Sequence, residues 1–147
     1  MESKKKCIII YNSQKIDAKK IAGFQNTLGK TDVSTYLDIK YVGTENMEEI
    51  TPFENPEEVE VLGIFWAGPK ECEAVLRAHS NIKWINSFTA GVDALMTDYI
   101  KSHPAQITNS KGVFSNGLAE FVAFQMLYFS KNSHKWMQDQ KDHKWDP

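Results

Sequence analysis

With 147 residues and 41% hydrophobic side chains, the chain is long enough to build one self-supporting core and too apolar to stay disordered. Its formal net charge of −2 supplies no basic face for nucleic acid, and no run approaches the roughly 20 apolar residues needed to span a bilayer. The basic run Lys4–Lys6 reads as a solvated, partly frayed terminus, and the acidic stretch Glu45–Glu60 as a solvated loop or helix face. The charged start leads straight into a strand-like run, which predicts no signal peptide. Cys7 and Cys72 have no CxxC spacing, so two reduced thiols and a cytoplasmic location are expected. His79, His103, His134 and His143 lack the spacing of metal ligands and read as surface or packing residues, so no metal site is expected.

In chain order, Cys7–Tyr11 (CIIIY) is short, apolar and rich in β-branched residues, as a strand buried on both faces should be. Ile16, Ile21, Phe24 and Leu28 recur at helical spacing, with Gly29 placed to end the helix. Tyr36–Tyr41 alternates as a second strand, and residues 44–56 form an acidic loop with one helical turn. Val59–Phe65 (VEVLGIF) is a third strand. After the Trp66–Gly68 break, Pro69 suits the first turn of a helix that carries Cys72, Val75 and Leu76 on one face. Ile82–Phe88 alternates as a fourth strand, and Gln106–Asn109 is a short fifth.

Strands alternating with helices imply an α/β fold with an open parallel five-stranded sheet and helices on both faces. Ligands of such sheets gather at the carboxyl ends of the strands, here Asn12–Ser13, Trp66–Gly68, Thr89–Asp93 and Ser110–Ser115. From about Ser115 to Lys141 there is no proline, which predicts one long carboxyl-terminal helix. Leu118, Phe121, Val122, Met126 and Phe129 form one apolar stripe, and Phe124, Leu127 and Tyr128 a second. A helix apolar on two faces needs two things to cover it.

The segment Asn81–Val122 carries, in order, W-I-N-S-F-T-A-G-V-D, I-T-N-S-K-G-V-F and L-A-E-F-V. It resembles the D-2-hydroxyacid dehydrogenases, and V-L-G-I-F-W-A-G-P resembles their glyoxylate/hydroxypyruvate reductase branch. The resemblance implies a flavodoxin-like substrate-binding domain over 1–114, a long interdomain and dimerisation helix over 115–143, and the start of a linker at 144–147 to an NAD(P)-binding domain. In this family the loop after the fourth strand holds the substrate carboxylate on backbone amides, which assigns that role to Ala90, Gly91 and Val92. The residues themselves allow it: a glycine lets the backbone approach a ligand, and successive N–H groups can form an anion site. Gly91 could equally do no more than complete a turn.

Trp66 and Ala67 resemble the pocket wall facing the substrate's side chain, although a tryptophan there could serve only packing. Asp93 is expected to cap the short segment after it. Ser115 and Leu118 lie where the family's long helix begins beside the nicotinamide, and capping by Ser115 would explain that residue as well. Glu120 matches a buried structural glutamate. The family's catalytic histidine, its partner carboxylate, its substrate-binding arginine and the G-x-G-x-x-G turn belong to the second domain. None of them has a match here, since the glycines are scattered singly and the one arginine is Arg77. The expectation is therefore a half-site for a small 2-oxo or 2-hydroxy acid, dependent on NAD or NADP in the complete enzyme and inactive alone, with a homodimer through the 115–143 helix. The competing reading is a non-catalytic dimerising module. A phosphoacceptor or flavin domain fits poorly, because Tyr11–Asn12, Phe65–Trp66 and Asn12-Ser13-Gln14-Lys15 stand where acidic residues or a phosphate loop would be needed.

Overall fold

The structure is a computed structural model that describes residues 4–145, with Glu49 described by its backbone alone. The chain divides between Lys111 and Gly112 into two compact units.

The first unit is a five-stranded, wholly parallel sheet in the order β2-β1-β3-β4-β5. Its strands are β1 (Lys5–Tyr11), β2 (Leu37–Gly43), β3 (Val59–Phe65), β4 (Trp84–Ser87) and β5 (Gln106–Asn109). The apolar runs CIIIY and VLGIF lie in β1 and in β3, the central strand. Alternate side chains leave a strand on opposite faces. Accordingly Ile8 and Ile10 enter one core, with Leu62, Ile64 and Ile85, while Cys7 and Ile9 enter a smaller one with Val61. A strand that feeds two cores cannot show a polar face, which is why these segments read as continuous hydrophobic runs.

The larger core is closed by α3 (Pro69–Ala78), which buries Cys72, Val75 and Leu76 as its spacing predicted. Ile100 of the short helix α4 (Asp98–Ser102) completes it. The smaller core receives Phe24 from α1 (Ala18–Gly29), whose ring lies 5.6 Å from Phe88 and 5.8 Å from Phe65. Asp17 starts α1 by accepting a 2.8 Å hydrogen bond from the Lys20 amide. The one-turn helix α2 (Val33–Tyr36) leads into β2, and 3-10 turns at Thr44–Glu49 and Pro56–Glu58 occupy the acidic stretch.

Several boundaries differ from the sequence reading. β1 begins two residues early, because Lys5 and Lys6 are not a frayed end. They pair with Glu60 at 2.7 Å and Glu58 at 2.5 Å, and the lysines hold both carboxyls below their ordinary range. β4 keeps only four residues, with Ile82 already buried before it. α4 is too short to show a helical period, and Thr97 starts it by accepting from the Ile100 amide at 3.3 Å. Asp93 does not cap: it is exposed, and only its carbonyl is engaged, by the Met96 amide.

Both thiols are free and buried, and burial pushes each from 9.0 up to about 12. A thiol whose folded pKa is raised stabilises the fold fully below its unfolded pKa and loses that contribution as pH rises toward the folded value. Stability should therefore fall between pH 9 and about 12. At pH 8, Ellman's reagent should label neither cysteine until urea unfolds the chain. Prompt labelling of one thiol in the native protein would contradict the buried placement.

The second unit holds α5 (Ser115–Ser130) and α6 (Ser133–Lys141), so the expected single helix is in fact two. The break lies at Asn132, which takes the left-handed conformation (φ 54°) that asparagine tolerates better than most residues. Nothing apolar in Ser130-Lys131-Asn132-Ser133 carries the helical stripe across that point. α5 is apolar all round, and Leu118, Phe121, Phe124, Met126 and Phe129 are each more than half exposed. Glu120 is exposed rather than buried, because the helix has no polar interior to receive it. Of the residues read as a linker, Lys144 and Trp145 are exposed, and Asp146 and Pro147 lie outside the described residues.

Candidate functional site

In the observed strand order, the connections leaving β1 and β3 run to opposite sides, and such a switch point opens a crevice at the carboxyl ends of the strands. A cleft of about 180 Å³ lies there, lined by Lys15 after β1, Trp66 and Ala67 after β3, Ser87 at the end of β4, and Thr89 and Gly91 after it. Drug-sized ligands need about 300–1,000 Å³. A cleft of this size suits an acid of a few heavy atoms.

The loop after β4 is built so that its carbonyls are occupied. Thr89 Oγ1 donates to the Gly91 carbonyl at 2.8 Å, and Asn109 Nδ2 donates to the Ala90 carbonyl at 2.8 Å. The Val92 carbonyl accepts from the amides of Leu95 and Met96 at 2.8 and 3.2 Å. Buried Ser87 lies 2.8 Å from Thr89 Oγ1, and Ser110 ties down both flanks by bonding to the carbonyls of Thr89 and Ser87. By contrast, the amides of Ala90, Gly91 and Val92 donate to no protein acceptor among the described residues. A loop with pinned carbonyls and unused N–H groups has donors to offer an anion. Each charge-assisted bond to such a donor is worth about 1.5–3 kcal/mol.

Gly91 has no positive φ, and a Cβ built on it meets nothing within 4 Å. The turn itself therefore does not demand glycine at this position. Trp66 is the opposite case. It holds φ 60°, a conformation costly for a bulky side chain, and leaves half of its surface exposed. Strain of about 1–3 kcal/mol persists where surrounding structure enforces it, and such residues cluster at ligand sites. The indole sits beside the Phe65 ring at 5.9 Å, with the Lys15 ammonium 6.0 Å from its centroid.

Of the residues singled out from sequence, the cleft therefore gathers Trp66, Ala67 and Gly91, while Ala90 and Val92 flank Gly91 without lining it. Ser115 and Leu118 lie in the second unit, on the first turn of α5. Ser115 makes no capping bond, because Phe114 occupies the cap position. Leu118 is exposed and shares a shallow apolar depression with Val113, Phe114 and Gly117. Sequence reasoning missed Lys15 and Ser87, and marked Thr89 only as the start of a strand-end loop. Lys15 follows the first strand, so the strand-end rule could have pointed to it. Ser87 gave no such signal, since its role depends on hydrogen bonds.

No family model matches the chain. A 90-residue stretch is 30% identical to erythronate-4-phosphate dehydrogenase of Shewanella halifaxensis, covering 61% of this chain and 23% of that protein. Among solved structures, a D-lactate dehydrogenase from Treponema pallidum superimposes with a TM-score of 0.60 at 15% identity. It matches 97% of this chain and 41% of its own. The D-isomer-specific 2-hydroxyacid dehydrogenase from Xanthobacter autotrophicus, solved with NADPH and MES, gives 0.54 at 19% identity over 95% of this chain and 41% of its own. The fold is that of the D-isomer-specific 2-hydroxyacid dehydrogenases. The chain spans about two fifths of the length of those dehydrogenase structures. Among the described residues, no helix is long and apolar enough to cross a membrane.

Proposed function

We propose that this chain is the substrate-binding part of an NAD(P)-dependent oxidoreductase that interconverts small 2-oxo acids, of the glyoxylate or hydroxypyruvate kind, with D-2-hydroxy acids. The observation that carries this reading is the loop Thr89–Asp93, with its carbonyls pinned and the amides of Ala90, Gly91 and Val92 left to donate. These amides hold the substrate carboxylate, and Trp66 and Ala67 wall the acid's far end. The dehydrogenase fold and the complex of one similar enzyme with NADPH support NAD or NADP as cofactor. When bound, the nicotinamide supplies or accepts the hydride. Ser115 and Leu118 offer one hydroxyl and an apolar patch, which fits the edge of a flat ring but not a pyrophosphate.

Titration with glyoxylate or hydroxypyruvate, followed by ¹H–¹⁵N NMR, should shift the amides of residues 90–92 and the Trp66 indole in a saturable way. Addition of NADH or NADPH with the same acids should leave absorbance at 340 nm unchanged, because the residues that move the proton and clamp the carbonyl are proposed to lie outside this chain. Saturable shifts confined to other surfaces would overturn the assignment of the loop.

A second role is favoured by α5. A helix apolar on all sides and more than half exposed at seven large side chains needs a cover. A second copy of this chain is the proposed one, giving a homodimer, or a non-catalytic dimerising module if the acid does not bind. Sedimentation at micromolar concentration reads it directly, and a clean monomer argues against it.

A further inference from the structure

Lys15 is the only charged side chain lining the cleft among the described residues, and nothing in the proposed role of the Ala90–Val92 amides uses it. Its backbone is fixed at the carboxyl end of β1. The Asn12 side chain accepts from the amides of Gln14 and Lys15 at 3.0 and 3.2 Å, and the Asn12 carbonyl accepts from those of Lys15 and Ile16 at 3.1 and 2.9 Å. The Asn12 amide in turn donates to the Phe65 carbonyl at 3.1 Å, which joins this turn to the β3 end that carries Trp66. Ile16, next in sequence, is buried and anchors the turn from below.

The Lys15 ammonium reaches over the indole of Trp66 and forms no ion pair with a carboxylate among the described residues. Other lysines near the sheet, such as Lys5, Lys6 and Lys83, are each matched by Glu58 or Glu60. Glu71, whose carboxylate folds back toward Gly68, does not line the cleft and makes no ion pair with Lys15. The cleft thus has two places for negative charge, the amide loop at one side and an uncompensated cation beside a strained tryptophan at another.

We propose that Lys15, positioned over Trp66, is a specificity-determining residue that makes the cleft prefer, over monoanionic acids such as glyoxylate and hydroxypyruvate, those 2-oxo or 2-hydroxy acids that carry a second anionic group at the end remote from the reacting carboxylate. This rests on the reading of the Ala90–Val92 loop as the carboxylate site. A cation at a partly solvated site gains modest energy from an opposite charge, and that gain is screened by salt. The preference is therefore one of several-fold to tenfold, larger at low ionic strength.

The test compares D-malate with D-2-hydroxybutyrate, two acids of equal chain length that differ in the second carboxylate. Each is titrated into the full chain while the Trp66 indole and the Gly91 amide are followed by NMR. D-Malate should bind at least five-fold more tightly in 20 mM salt, with the advantage shrinking at 300 mM. In Lys15→Gln the two acids should bind alike, and Lys15→Arg should keep the preference. Because Lys15 is exposed, both variants should remain folded, and the unchanged dispersion of the remaining amides checks this. If both acids bind equally in the unaltered chain, or the preference survives Lys15→Gln, the role of Lys15 is overturned while the carboxylate loop stands. If neither acid shifts the Gly91 amide, the loop reading fails and the Lys15 proposal falls with it.

Discussion

Gly63→Val should destabilise the first unit by about 1–3 kcal/mol, read as a lower urea midpoint. Gly63 lies within β3, paired in register with Ile9 of β1. A Cβ at that position would stand 2.9 Å from Ile9 Cγ1 and 3.0 Å from the Phe88 ring. Neither neighbour can withdraw easily. The Ile9 atom is close to its own backbone, and the Phe88 ring is packed against those of Phe24 and Phe65 at 5.6 Å each. Strand propensity alone predicts the opposite outcome, since valine suits a strand better than glycine. The sign of the change therefore decides between packing and propensity. Adding Phe88→Leu should restore part of the loss, and residues in contact should show such coupling. A Gly63→Val protein as stable as the parent would show that the two faces of β3 are looser than described.

Gly91→Val should do the reverse, leaving the fold intact and abolishing acid binding. With open space around its Cβ and no positive φ, the substitution meets no obstacle in the folded chain. Replacing glycine where the backbone allows it can even add about 0.4–1 kcal/mol by restricting the unfolded chain. The valine side chain, however, projects from a residue that lines the cleft, next to the amides assigned to the carboxylate. Affinity for glyoxylate or hydroxypyruvate should fall at least tenfold, with the urea midpoint unchanged or raised. Unchanged binding would remove the loop from the site. The two glycines make opposite demands for a local reason: one faces packed side chains, the other faces space.

How much of this was legible in the sequence depends on the range of the interaction. β3 and α3 have the bounds or buried face expected for them, because strand alternation, Pro69 and the spacing of Cys72, Val75 and Leu76 are local patterns. The T-A-G-V-D stretch marked a loop at a strand end for the same reason. The continuous apolar run of β1 also foretold two covered faces.

The tertiary structure alone decided the rest. It showed that Lys15, distant in sequence from Gly91, lines the same cleft, because β1, β3 and β4 adjoin in the sheet. Asn109 and Thr89 fix the loop's carbonyls across gaps that no periodicity records. It placed Trp66 in a strained conformation and broke the expected long helix at Asn132, since both depend on how backbone angles are resolved once neighbours are present. Sequence by itself determined the parallel sheet, which follows from side-chain period, while the candidate carboxylate loop was implied by a family resemblance that the placement of Gly91 allows. Only the folded chain revealed which carbonyls are occupied, which amides are left to donate, and which cation shares the cleft with Gly91.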